Sequence, residues 1–101
     1  MSTVNTPRLA ITYCSRCRWM LRSSWLAQEV LTTFDTKIAE VALIPSQEAG
    51  TFHIHLDDIK IWDRKSDDGF PEAKELKQRI RDQIEPELDL GHSDCKPSPN
   101  P

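Results

Sequence analysis

Apolar and polar positions alternate strictly in two short stretches of this chain. Leu9, Ile11 and Tyr13 face one way and Arg8, Ala10 and Thr12 the other; further on, Phe52, Ile54 and Leu56 oppose Thr51, His53 and His55. A period of two belongs to a half-buried strand, so both stretches are predicted strands. Asp57-Asp58 supplies a tight turn from the second into residues 59–63, which makes an antiparallel hairpin. Residues 37–44 are rich in aliphatic and β-branched side chains and predict another strand, with Pro45 expected to end it.

Between the first two strands the period changes to that of a helix. Over residues 18–34, Trp19, Met20, Leu26, Ala27, Val30, Leu31 and Phe34 gather on one side of a helical wheel, with Arg18, Arg22, Gln28 and Glu29 opposite. Leu21 and Trp25 fall among the polar residues, either as an exposed pair or turned inward by an irregular first turn. A second helix follows the loop Ser66-Asp67-Asp68-Gly69. Pro71 suits its first turn, Ala73, Leu76, Ile80 and Ile84 form its stripe, and Pro86 stops it. Glu75 and Arg79 stand i,i+4 on its solvated face.

The resulting order is β-α-β-β-β-α. One helix between the first two strands makes them parallel. No helix-length segment lies between the second strand and the hairpin, so both helices are expected on one face of a four-stranded mixed sheet, an α/β two-layer sandwich. Arg8, Thr12, His53, His55 and Lys60 suit the open face. The same alternation puts Trp62 there too, which makes that face a candidate homodimer or partner surface.

A length of 101 residues, 38% of them hydrophobic and 29% charged, fits one small domain. Residues 1–7 are expected to be flexible, residues 8–88 to form the domain, and residues 89–101, a Pro-rich tail containing His92 and Cys95, to be disordered. A net charge of -3 argues against nucleic-acid and anionic-membrane partners. No apolar run approaches the roughly 20 residues of a membrane span, and the first residues carry no apolar signal segment. A cytoplasmic protein is expected.

Three cysteines make no staple framework, and two of them form Cys14-Ser15-Arg16-Cys17 between the first strand and the first helix. That spacing lets two sulfurs close a small ring or hold one metal ion. Arg16, Arg18 and a following helix N-terminus favour a thiolate. A redox dithiol is the leading reading, with Cys14 and Cys17 as its chemistry and no cofactor or metal required. Trp19, Phe70 and Trp25 are candidates for an apolar rim, so a binding module whose docking follows the redox state of the cysteines is an alternative. A Cys₃His zinc set of Cys14, Cys17, His92 and Cys95 is a second.

Together with Gly50-Thr51-Phe52-His53-Ile54 and Asp68-Gly69-Phe70-Pro71-Glu72, the Cys14/Cys17 motif resembles the family of selenoproteins W, T and H, the Rdx proteins, over about residues 8–85. Short bacterial relatives of selenoprotein W are the most similar in pattern. The resemblance implies a thioredoxin-like fold and thiol-disulfide oxidoreductase chemistry on a protein or low-molecular-weight thiol or disulfide. Arg16, Trp19 and Phe70 are the candidate partner-binding residues. Selenoprotein members place selenocysteine at the position of Cys17, where this chain has cysteine. By likeness to other such motifs Cys14 is expected to be the exposed, attacking thiol and Cys17 the resolving one. The cis-proline of ordinary thioredoxins has no counterpart directly before the third strand.

Overall fold

The computed structural model describes residues 7–88 and residue 90. The expectations for residues 1–6, for 89 and for 91–101, including His92 and Cys95, lie outside the described residues. The elements run β1 (Arg8–Cys14), α1 (Met20–Phe34), a 3₁₀ turn (Asp35–Lys37), β2 (Glu40–Ser46), β3 (Phe52–Leu56), β4 (Ile59–Asp63) and α2 (Ala73–Ile84). The four strands form one sheet in the order β2-β1-β3-β4, with β1 parallel to β2 and antiparallel to β3, and β3 antiparallel to β4.

Register explains the core. Leu9, Ile11 and Tyr13 stand opposite Leu56, Ile54 and Phe52, so the three apolar positions of each central strand lie on one face. Against that face pack Leu26, Ala27, Val30 and Phe34 of α1 and Leu76 and Ile80 of α2, in one continuous cluster. Each Val, Leu, Ile or Phe side chain among them taken fully out of water contributes about 1.5–3 kcal/mol. Both helices therefore cover the same face, as the missing crossover helix requires. Lys77 of α2 is buried beside α1 and donates to Glu29 at 2.8 Å, a bridge between the helices. Leu88 and Leu90 are partly buried against the core. Among the described residues no helix is long and apolar enough to cross a membrane.

Trp62 is not on the open face. It is 4% exposed, its indole Nε1 donates to Gly69 O at 2.8 Å, and the Arg79 guanidinium lies 4.3 Å from its ring centre. The cause is a bulge. Leu56 pairs with Ile59 and His55 with Lys60, but Ile54 pairs with Trp62, leaving Ile61 as an extra residue that turns Trp62 inward. The aromatic reason for expecting a second copy on the open face disappears with this shift.

Strand β2 also departs from expectation. The 3₁₀ turn takes up Lys37, and Pro45 lies inside the strand, paired in register with Tyr13. Strand β2 is at the edge of the sheet, where the N–H that proline lacks is not needed by a neighbour on the outer side. Helix α2 begins at Ala73, so Pro71 stands before the helix rather than in its first turn. On α1, Leu21 and Trp25 are an exposed pair, and Met20 and Leu31, expected in the stripe, are exposed as well.

The open face carries one titratable feature of its own. His53 and His55 meet edge to face with ring centres 5.0 Å apart, and His53 Nδ1 is buried with no hydrogen-bond partner among the described residues. Burial, and then the nearby charges of His55 and Lys60, hold the His53 pKa below its ordinary value, against the opposing pull of Asp63 and Glu48. The unfolded chain thus takes up a proton more readily than the folded one. The stability from neutral His53 is full above the unfolded pKa of 6.5, falls as pH drops below that value, and levels off under the depressed folded pKa. Urea titrations from pH 7.5 to 5 are expected to show this loss in the wild type and a flatter profile in His53→Gln.

Candidate functional site

Strand β1 ends at Cys14, and the chain reaches α1 through two successive turns, closed by Cys17 N–H to Cys14 O at 3.3 Å and Arg18 N–H to Ser15 O at 3.3 Å. Arg18 takes a left-handed φ of 63° to leave the second turn. The loop is tied to β2 by Ser15, whose backbone N–H donates to Ser46 O at 3.0 Å. Ser23 Oγ and Ser23 N–H both donate to Trp19 O, which fixes the first turn of α1 behind the motif.

These turns place the Cys17 and Cys14 Sγ atoms 2.7 Å apart, with both cysteines free. Their burial is the reverse of the expectation. Cys14 is fully buried at the end of a central strand, while Cys17, on the outer side of the turn, is partly exposed. The hydrogen bond from the Cys17 thiol holds the Cys14 pKa below the ordinary thiol value; burial opposes it, and backbone hydrogen bonds from Gly50, Cys17 and Arg16 assist. Donating that bond raises Cys17, while the Gly50 backbone and the charge of Arg64 pull it down. With the sulfurs so close, the proton left after the first ionisation lies between them, and that ionisation belongs to the pair rather than to either residue.

Arg64 is the cation of the site that the sequence reading passed over. It follows β4, and its backbone N–H donates to Phe52 O at 2.9 Å, which carries the guanidinium back beside the motif. There Nε donates to Gly50 O at 3.2 Å and Cζ lies 5.2 Å from the centre of the Trp19 ring. Pairing about the Asp57-Asp58 turn was the available signal, because it sets position 64 beside 51 and 52. Gly50 is constrained from two sides: its φ is +80°, and an added Cβ would stand 3.3 Å from Arg64 Nη2.

Of the other expected residues, Arg16 is exposed in the loop, and what it brings to Cys14 is its backbone hydrogen bond. Trp19 and Phe70 are brought together, edge to face at 4.8 Å, and Phe70 meets Phe52 at 4.9 Å. Both rings are half-buried, so they serve as core wall and site rim at once. Trp25 is separately exposed on α1. A cleft of about 170 Å³ is lined by Gly50 together with Glu48, Thr51, His53, Asp63 and Lys65 among others. Among the described residues no three His, Cys, Asp or Glu side chains are grouped to hold a metal.

A family model described as the Rdx family matches residues 8–82. The crystal structure of a protein from Bordetella parapertussis is similar at 52% identity and a TM-score of 0.77, covering 79% of this chain and all of that one. A selenoprotein W-related protein from Vibrio cholerae is similar at 52% identity and a TM-score of 0.77, covering 80% of this chain and all of that one. No curated protein matches the chain.

Proposed function

The chain belongs to the Rdx family, with its thioredoxin-like fold, and from that footing we propose that it is a thiol-disulfide oxidoreductase acting through Cys14 and Cys17. The observation that carries this reading is the pair of free sulfurs 2.7 Å apart, one partly exposed and one buried. Its substrate is a protein or low-molecular-weight disulfide. A free dithiol suits a reducing compartment such as the cytoplasm.

The accessible sulfur must be the one that meets substrate, so we assign attack to Cys17 and resolution to Cys14, the reverse of what likeness to other Cys-x-x-Cys motifs implies. The pair loses one proton to solvent; the proton that Cys17 donates to Cys14 then passes across to Cys14 Sγ, and the negative charge resides on Cys17 as it attacks. Attack on a substrate disulfide forms the Cys17–substrate bond, breaks the substrate S–S bond and expels one thiolate, which takes a proton from solvent. Cys14 then loses its proton, attacks Cys17 Sγ and expels the second substrate thiolate, which takes up a proton, leaving a Cys14–Cys17 disulfide. The substrate gains two electrons and the chain loses two. An external thiol reductant returns the pair to the dithiol.

Half-buried Trp19 and Phe70 favour a second reading in which oxidation of the pair alters docking instead of driving turnover. Turnover separates the two. With dithiothreitol as reductant and a small aromatic disulfide as substrate, catalytic amounts of chain are expected to speed thiol release, and peptide mapping after oxidation is expected to find Cys14 linked to Cys17. Formation of the internal disulfide without turnover supports the docking reading. Absence of that disulfide under oxidation overturns both.

A further inference from the structure

We propose that the arginines beside the motif form a docking surface for an acidic protein segment that carries the disulfide to be reduced; this rests on the exchange reading above. Among the described residues, Arg8, Lys37, Lys60, Lys77, Arg79 and Arg81 are all engaged in ion pairs. No ion pair among the described residues engages Arg16, Arg18, Arg22 or Arg64, the four on the motif and its aromatic rim, nor Lys65 and Lys74. Acidic residues are not scarce, since the chain has 16 against 13 basic ones. The first acidic residue in the sequence is nevertheless Glu29, and the first turn of α1 contains none.

Two of these cations are held in place by aromatic faces. Arg22 Cζ lies 4.4 Å from the centre of Phe70, Phe70 meets Trp19 at 4.8 Å, and Arg64 Cζ lies 5.2 Å from Trp19, a run of guanidinium, ring, ring, guanidinium along the edge of the motif. Asp68 and Glu72, which flank Phe70 in the chain, make no ion pair with either arginine. A guanidinium laid on a ring keeps its N–H edge for a carboxylate, and its orientation is fixed before the partner arrives. The exposed Trp25, three residues on from Arg22, and Leu21 beside it continue the surface along α1 and call for apolar side chains between the acidic ones. This mixture of charge and apolar area favours a polypeptide over a polyphosphate backbone. A second copy of the chain would bring the same positive surface against itself.

The test uses the full chain and peptides in which Asp and Glu, or Lys, alternate with Leu around one central position. With serine at that position, the acidic peptide is expected to change tryptophan fluorescence and to bind about tenfold more tightly than the basic one at low salt, the difference fading near 0.5 M salt. Arg22→Glu and, separately, Arg16→Glu are expected to remove that preference. With the central position as a mixed disulfide, the acidic peptide is expected to exchange faster. Equal binding of the two peptides, or preference for a single-stranded oligonucleotide over the acidic one, overturns the docking surface while exchange with an uncharged disulfide stands. Failure to exchange with any disulfide overturns the chemistry on which the proposal rests.

Discussion

Cys17→Ser is expected to lower disulfide exchange to the rate of the buffer alone, while Cys14→Ser still attacks once and stops as a mixed disulfide at Cys17. The reason is access. A buried sulfur does not meet an external disulfide before the loop opens, whereas Cys17 stands at the surface with Arg64 beside it. Iodoacetamide labelling followed by peptide mapping checks the first step, and intact mass after incubation with a small disulfide checks the second. Rapid labelling at Cys14 in Cys17→Ser, with none at Cys17 in Cys14→Ser, would restore the opposite roles. Cys14→Ala serves as a further variant, because it removes the buried sulfur without leaving a hydroxyl in its place. Arg64→Gln is expected to slow wild-type labelling at neutral pH, since it removes the positive charge that favours the thiolate.

The second large effect concerns stability. Trp62→Ala is expected to destabilise the fold by about 3–5 kcal/mol, the range for truncating a buried aromatic side chain. In a domain of this size each kcal/mol lowers the melting temperature by about 4–8 °C. Trp62→Phe keeps most of the packing and loses the bond to Gly69 O, so a cost of about 1 kcal/mol is expected. Thermal melts followed by circular dichroism measure both. A loss below about 0.5 kcal/mol for the alanine variant is what a surface position would show and would return Trp62 to the open face.

That residue marks where the sequence ceased to be legible. The alternation over Phe52, Ile54 and Leu56 was sufficient to set the central strand, because every side chain obeyed one period. In Ile59 to Asp63 the same rule fails: one unpaired residue reverses the facing of everything after it, and neither Ile61 nor Trp62 differs from an ordinary strand residue. Pro45 misled for a related reason. Proline breaks a central strand and is accepted at an edge, and edge or centre is a property of the assembled sheet. At the site, the Cys14/Cys17 spacing announced the chemistry, but which sulfur faces water depends on how the turn after β1 packs. Arg16 and Arg18 looked like the cations of the motif because they adjoin it in sequence. Arg64 acts there from 47 positions beyond Cys17, through a hairpin that folds back to Gly50.

The bulge in β4 and Pro45 in β2 occupy the two outer strands of the sheet. An outer strand ordinarily offers a row of N–H and C=O groups on which a foreign strand can build, the first step toward amyloid-like stacking. One rim of this sheet lacks an amide hydrogen at Pro45 and the other is bent at Ile61, with the charged Lys60 next to the bend. Neither rim gives an incoming strand an unbroken ladder. The irregularities that defeat the simple strand patterns thus also act as guards against polymerisation, at the two places where an open four-stranded sheet most needs them.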